Sequence, residues 1–234
     1  MSTTYKTLYQ KVLLRLNSED GRALLAAKEG VNDAQKVIVR IEDFDELKVL
    51  DTSGTPVTVA STKTYHLVDD WSLTRPKDII SLRYMDGTSS RKLEYIAPRR
   101  LDKFLPYPEQ SGDQRPVGYT RRGLNLELIP VPEEAKSIYV YYTQWPLVLT
   151  ADADEMQLPD DVEDVVVGLA TEIANAIVEG VTETNWTPRA RAMLAGAVTE
   201  EAYKPDHEYI ARPFNPRAEP IGEYWKDPFI KRSP

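Results

Sequence analysis

The spacing of apolar residues changes twice along this chain, and that change limits the fold more than any other feature. Tyr5, Leu8, Tyr9, Val12, Leu13 and Leu16 recur at helical spacing and form one apolar stripe. Asn17 and Ser18 break the stripe, and either fits the cap of a following helix. That next helix lies in "EDGRALLAAKEGVNDAQKVIVRIEDFDELKVL". Its expected buried side is Val31, Ala34, Ile38 and Ile41, with Phe44 or Leu47 beyond, and Gly30 marks an expected break or kink.

From about residue 49 the period becomes two. "TPVTVASTKTYHLV" reads as strand, with Val57, Val59, Tyr65 and Leu67 expected to point inward. "DIISLRYMDGTSSRKLEYI" reads as a hairpin, because Asp86-Gly87 supplies the positive φ of a tight turn. "PRRLDKFLP" predicts a short helix with proline in its first turn. "RPVGYTRRGLNLELIPVP" predicts a strand pair around Arg122-Gly123, and "KSIYVYYTQWP" a strand with Ile138, Val140 and Tyr142 on one face. Its other face carries Tyr139, Tyr141 and Trp145, rich enough to need a cover.

The helical period returns at "LPDDVEDVVVGLATEIANAIVEG". Asp160 and Glu163 have capping-box spacing, and Val162, Val165, Val166, Leu169, Ile173, Ala176 and Ile177 form a stripe. A last helix opens at Thr187-Pro188 and is expected to run to about Tyr203, with Ala190, Ala192, Ala195, Gly196 and Ala197 allowing close approach to a neighbour. The fold class expected is therefore α+β: a helical bundle drawn from both chain ends, with an inserted antiparallel β-sandwich or barrel-like unit and an extended C-terminal tail. The expected divisions are 1–48 and 150–204 for the bundle, 49–149 for the β insertion and 205–234 for the tail.

Chemistry is harder to find. The chain has no cysteine, hence no disulfide, thiolate metal site or cysteine nucleophile, which fits a reducing compartment. The two histidines, His66 and His207, have no companion at metal spacing. Asp152, Asp154, Glu155, Asp160 and Asp161 invite a calcium or magnesium reading, but an acidic helix N-terminus accounts for them better. The arginine pairs 99–100 and 121–122 suit phosphate anchors but equally suit turns. No nucleophile elbow, phosphate-binding loop or dinucleotide fingerprint occurs. No enzyme is expected, no cofactor and no metal. No apolar run approaches the length of a membrane span. A net charge of -8 argues against general nucleic-acid binding, though not against a protein that DNA merely passes.

The tail carries the strongest signal. "ARPFNPRAEPIGEYWKDPF" holds four prolines in nineteen residues together with Phe214, Tyr224, Trp225 and Phe229. Prolines exclude a helix and leave a partly pre-extended segment that docks at low entropic cost. Aromatic side chains then supply contact area for few lost rotors. The tail either wraps its own domain or meets a partner subunit; the domain before residue 204 already reads as complete, so a partner subunit is the expectation. Tyr209, Phe214, Ile221, Tyr224, Trp225 and Phe229 are the expected partner-binding residues.

The chain resembles the head-to-tail adaptor, or connector, proteins of tailed bacteriophages. The resemblance lies in "TYKTLYQKVLLRLN", "VNDAQKVIVRIEDFDELK", "WSLTRPKDIISLRYMDG", "RPVGYTRRGLNLELIPVP", "YVYYTQWPLVL", the helix after "LPDDVEDVVVGLA" and the long C-terminal tail. It implies a structural virion protein at the neck between capsid and tail, made in the host bacterial cytoplasm. It implies a homo-oligomeric ring, usually of twelve copies, bound beneath the portal protein ring by its C-terminal tails. The next tail component (nozzle, stopper or tail tube) would dock on the opposite face, and double-stranded DNA would pass through the lumen without specific binding. A tail-completion or stopper ring and a carbohydrate- or host-binding β-sandwich are the alternatives, with a metal-dependent hydrolase using the 152–161 carboxylates a third class. The β insertion is large beside the smallest, nearly all-helical adaptors.

Overall fold

The computed structural model describes residues 3–18, 20–54, 56–87, 89–104, 114–181 and 186–201. Helix α1 spans Tyr5–Leu16, opened by Thr4, whose hydroxyl oxygen accepts from the Thr7 amide at 3.4 Å. Tyr5, Leu8, Tyr9 and Val12 are buried, and Leu13 and Leu16 half-buried, as the stripe requires. Asn17 closes this helix instead of capping the next: it takes a left-handed φ of 49°, which asparagine tolerates better than most residues.

Helix α2 runs unbroken over Gly21–Ile41. Gly30 neither stops nor divides it. A Cβ at Gly30 would lie 2.7 Å from the Ala170 carbonyl oxygen, so glycine is there to let a second helix approach closely. Val31, Ala34 and Ile38 are buried and Ile41 half-buried; the helix then ends, and both Phe44 and Leu47 are buried beyond it.

The β unit follows. Strands β1 (Lys48–Asp51), β2 (Thr64–His66), β3 (Pro76–Asp86), β4 (Ser89–Lys92), β5 (Glu94–Tyr95), β6 (Gly118–Arg122), β7 (Asn125–Ile129) and β8 (Ile138–Gln144) form two four-stranded sheets. Their orders are β1-β8-β3-β4 and β2-β7-β6-β5. Both expected hairpins are present, with Gly87 (φ 62°) and Gly123 (φ 65°) at the turns. The short helix α3 (Pro98–Phe104) connects β5 to β6, and that crossover makes this one pair parallel within an otherwise antiparallel arrangement. One core is filled from both sheets: Tyr65, Leu67, Trp71, Leu82, Tyr84, Leu126, Leu128, Ile138, Val140 and Tyr142 all belong to it. That is the sandwich arrangement.

The segment before β2 departs from the expected pattern. Val57 and Val59 are 37% and 56% exposed, whereas Thr58 is fully buried. Its hydroxyl donates to the Glu134 carbonyl at 2.7 Å and accepts from the Lys136 amide at 2.8 Å. The Tyr65 hydroxyl accepts from the Val59 amide at 2.9 Å and donates to the Thr62 carbonyl at 2.8 Å. These local bonds hold residues 57–62 as a loop around a tyrosine and outcompete the period-two signal.

Helix α4 (Glu163–Glu179) follows a 3-10 turn at Asp160–Val162 and ends at Gly180 with φ 73°. The capping box does not form: the residue at the N-cap is Val162, and no side-chain capping bond is made there. Glu163 turns instead to helix α1, accepting from the Thr3 hydroxyl at 2.7 Å and from the Lys11 ammonium. The stripe is rotated from the expected one. Val166, Leu169 and Ile173 are buried together with Val167, Ala170 and Ala174, while Val165, Ala176 and Ile177 are half-buried. Helices α1, α2 and α4 pack on one another. Helix α5 spans Thr187–Glu201, with Ala190 fully buried and Arg189 paired to Glu172 at 2.7 Å. Residues to Leu194 form one compact unit, and the described part of the second is the end of α5.

Two polar clamps tie α2 to the chain outside the helices, one at the segment after β8 and one at β3. The Asn32 side chain donates to the Leu149 carbonyl at 3.0 Å and accepts from its amide at 2.8 Å. Lys77 donates to the Val39 carbonyl and to Asp43, both at 2.5 Å, and its ammonium lies 5.8 Å from the Trp145 ring centroid.

Candidate partner-binding surfaces

The six tail residues singled out by sequence, Tyr209, Phe214, Ile221, Tyr224, Trp225 and Phe229, lie outside the described residues, as does His207. The other candidates are placed, and most have structural work. His66 accepts the Asp69 amide on Nδ1 at 3.1 Å. The Arg121 guanidinium donates to the Gly123 and Lys77 carbonyls, each at 2.7 Å, and so ties the β6–β7 turn to the other sheet.

The acidic stretch is likewise engaged one residue at a time. The Asp154 carboxylate accepts the Thr150 and Ala151 amides at 2.7 and 2.8 Å. Those two backbone bonds hold its pKa below the ordinary aspartate value. Asp152 lies 3.6 Å from Lys28. Burial pushes the Glu163 carboxyl up, but the bonds from Lys11 and Thr3 and the Lys11 charge outweigh it and leave its pKa below the usual glutamate value. Among the described residues no group of three or more His, Asp or Glu is placed to hold a metal ion, and no helix is long and apolar enough to cross a membrane.

The aromatic residues of the β unit are mostly core. Tyr65, Tyr84, Tyr119 and Tyr142 are buried, Tyr139 and Tyr141 half-buried, and Tyr95 is 57% exposed. The cover that the second face of β8 requires is partly supplied by Lys77 over Trp145. Beside Trp145 a groove of about 470 Å³ opens between Lys36 and Arg40 of α2 and Pro146 and Val148 after β8. A second cleft, of about 690 Å³, lies along β4 and β5 and is lined by Arg91, Lys92, Tyr95 and Arg100. On the helices Leu14 and Leu25 are 80% and 70% exposed. Sequence reasoning missed both concavities. The charge run around Arg91-Lys92 and Arg99-Arg100 was the available signal for the second. Exposure of Leu14 was readable, since it stands off the α1 stripe.

The surface is therefore one of patches and clefts on a helix-plus-sandwich body, with no assembled reactive centre among the described residues. The profile of the SU10 adaptor protein family matches residues 3–206. The chain belongs to the SU10 adaptor protein family. The match covers the α1–α2 pair, both sheets and α4–α5. No curated protein matches the chain. This SU10 adaptor protein is thus a structural adaptor of a bacteriophage and a virion component, whose work is to associate with other virion proteins.

Proposed function

We propose that this adaptor assembles as a ring, of twelve copies, between the portal protein ring and the next tail component, and that DNA leaves the capsid through its lumen. The observation that carries this reading is the family match across the whole helix-and-sandwich body. The matched region ends at residue 206, where the proline- and aromatic-rich segment begins. That segment docks on the portal through Tyr209, Phe214, Ile221, Tyr224, Trp225 and Phe229. Repetition around a ring raises the effective concentration of each arm, so a weak single contact gives a firm attachment. Residues 49–149 stand out from the ring as the inserted unit, and residues 1–48 and 150–204 build its wall. An acidic lumen repels phosphate and lets DNA slide.

Synthesis is in the host bacterial cytoplasm and the destination is the neck. Immunogold labelling of purified virions tests the placement. Gold confined to the junction of capsid and tail is expected. Label on the tail fibres, or on the capsid surface away from that junction, contradicts it.

A further inference from the structure

Helix α2 turns one face away from its own bundle. Leu25, Glu29, Lys36 and Arg40 are all exposed, and their spacing places them within about 60° of one another around the helix. Asp33, between them, is half-buried and bonds Lys36 at 3.3 Å. The face is not uniform. Toward the N-terminus it carries an apolar knob, Leu25, 70% exposed, with the Glu29 carboxylate one turn on. Arg22, one turn earlier, is tied to the Ile177 carbonyl at 3.3 Å. Toward the C-terminus the face opens, at Lys36 and Arg40, onto the 470 Å³ groove beside Trp145.

That groove is apolar inside and cationic at its rim. Val68, Leu124 and Val148 reach it from three separate segments and remain between 39% and 49% exposed. Clustered exposure, unlike single exposed residues, marks a contact surface. No aspartate or glutamate lines the groove. The Arg75 guanidinium at its edge donates to the neutral Gln157 at 3.4 Å. Glu29 and Arg40 form no ion pair with a described residue.

We propose that Leu25 of one copy enters the groove beside Trp145 of a second, with Glu29 against Arg40, so that copies join head to tail along α2. This rests on the reading that copies of the adaptor assemble into a ring. The spacing matches at both ends: Leu25 and Glu29 are four residues apart, as are Lys36 and Arg40. Parallel helices offset by eleven residues, about 16 Å, set Leu25 level with Lys36 and Glu29 level with Arg40. Each copy then gives its knob to one neighbour and its groove to the other, which is the heterologous contact a ring requires.

The chain has no cysteine, so an introduced pair reports this contact alone. Leu25→Cys/Val148→Cys, both at exposed positions, is oxidised in the full chain, free and mixed with the portal ring. A covalent ladder beyond two copies is expected, and neither single variant gives it. In this background Glu29→Arg and Arg40→Glu each lower the ladder yield on the order of tenfold. The two reversals together on one chain restore it. Circular dichroism checks that each variant is folded; where a reversal is not, alanine at that position takes its place and a lower yield is still expected. Benzophenone attached to Val148→Cys alone identifies the occupant of the groove, and capture at residues 25–29 of a second copy is expected.

No ladder, with or without the portal, overturns the proposal. So does a ladder that stops at two copies, as a two-fold antiparallel pairing of α2 would give, one indifferent to both reversals, or one that their combination does not restore. Capture of the C-terminal tail or of a portal segment assigns the groove to that partner and overturns it too. A ring that stacks on the portal without any ladder removes this contact and leaves the adaptor reading standing. A bare portal beside an intact ladder removes the adaptor reading and leaves the contact.

Discussion

Replacing Gly30 by alanine sets two opposite effects against each other at one position. In a helix interior alanine gains about 1 kcal/mol over glycine. Here the added Cβ meets the Ala170 carbonyl oxygen at 2.7 Å and Ala174 Cβ at 3.5 Å. The oxygen belongs to the backbone of α4 and has no rotamer through which to withdraw. Relief requires α2 and α4 to shift apart across the buried alanines Ala26, Ala27, Ala34, Ala170 and Ala174. Overpacking of that kind costs about 1–3 kcal/mol, so Gly30→Ala loses about 1 kcal/mol net. Gly21 lies in the same helix, and an added Cβ there meets nothing within 4 Å; Gly21→Ala is expected to gain a few tenths to about 1 kcal/mol. Urea unfolding followed by circular dichroism gives both midpoints. In thermal unfolding the two variants should likewise straddle the parent, about 3–8 °C apart in Tm for a chain of this size. Gly30→Ala as stable as Gly21→Ala, with unchanged urea slope, would falsify the close-approach argument.

Other perturbations follow from single contacts. The Glu163 pKa lies below its unfolded value, so its contribution is present above the unfolded pKa and is lost as pH falls through the folded one. Glu163→Gln should therefore lower the urea midpoint at pH near 7 and narrow the loss of stability on acidification below about pH 4.5; equal acid sensitivity of parent and variant refutes this. Tyr65→Phe removes the group that binds the Val59 amide and the Thr62 carbonyl, and should cost about 1–2 kcal/mol by urea titration. An unchanged midpoint would show that the loop is held otherwise. Thr143 is buried and its hydroxyl has no hydrogen-bond partner among the described residues. Thr143→Val should be neutral or stabilise by about 1 kcal/mol, and a clear loss of Tm would reveal a bond to that hydroxyl.

The helices and both β-turns were legible because their causes are local. The α1 stripe and the glycines at 87 and 123 each fix backbone geometry within a few residues. Where the sequence misled, a distant group decided. Glu163 has the spacing of a cap but meets Thr3, 160 positions away, and Lys11. Gly30 has the composition of a break, yet its role is set by Ala170 of another helix. Val57 and Val59 follow a strand pattern that the Tyr65 hydroxyl overrides. The β4–β5 cleft required the crossover that lays Val117 and Gly118 beside Glu94 and Tyr95, a pairing that no local period announces. The tail was legible only as composition: prolines and aromatics indicate docking without indicating where.

The most direct test is to mix the purified protein with the portal ring of the same phage and image the product by cryo-electron microscopy, with and without residues 205–234. The account predicts a second ring stacked on the portal, lost on truncation while the melting temperature of the shortened chain stays the same. It further predicts that Trp225→Ala weakens attachment more than Lys226→Ala. A portal that remains bare with the full chain under every salt condition, or a ring that attaches equally well without the tail, contradicts it.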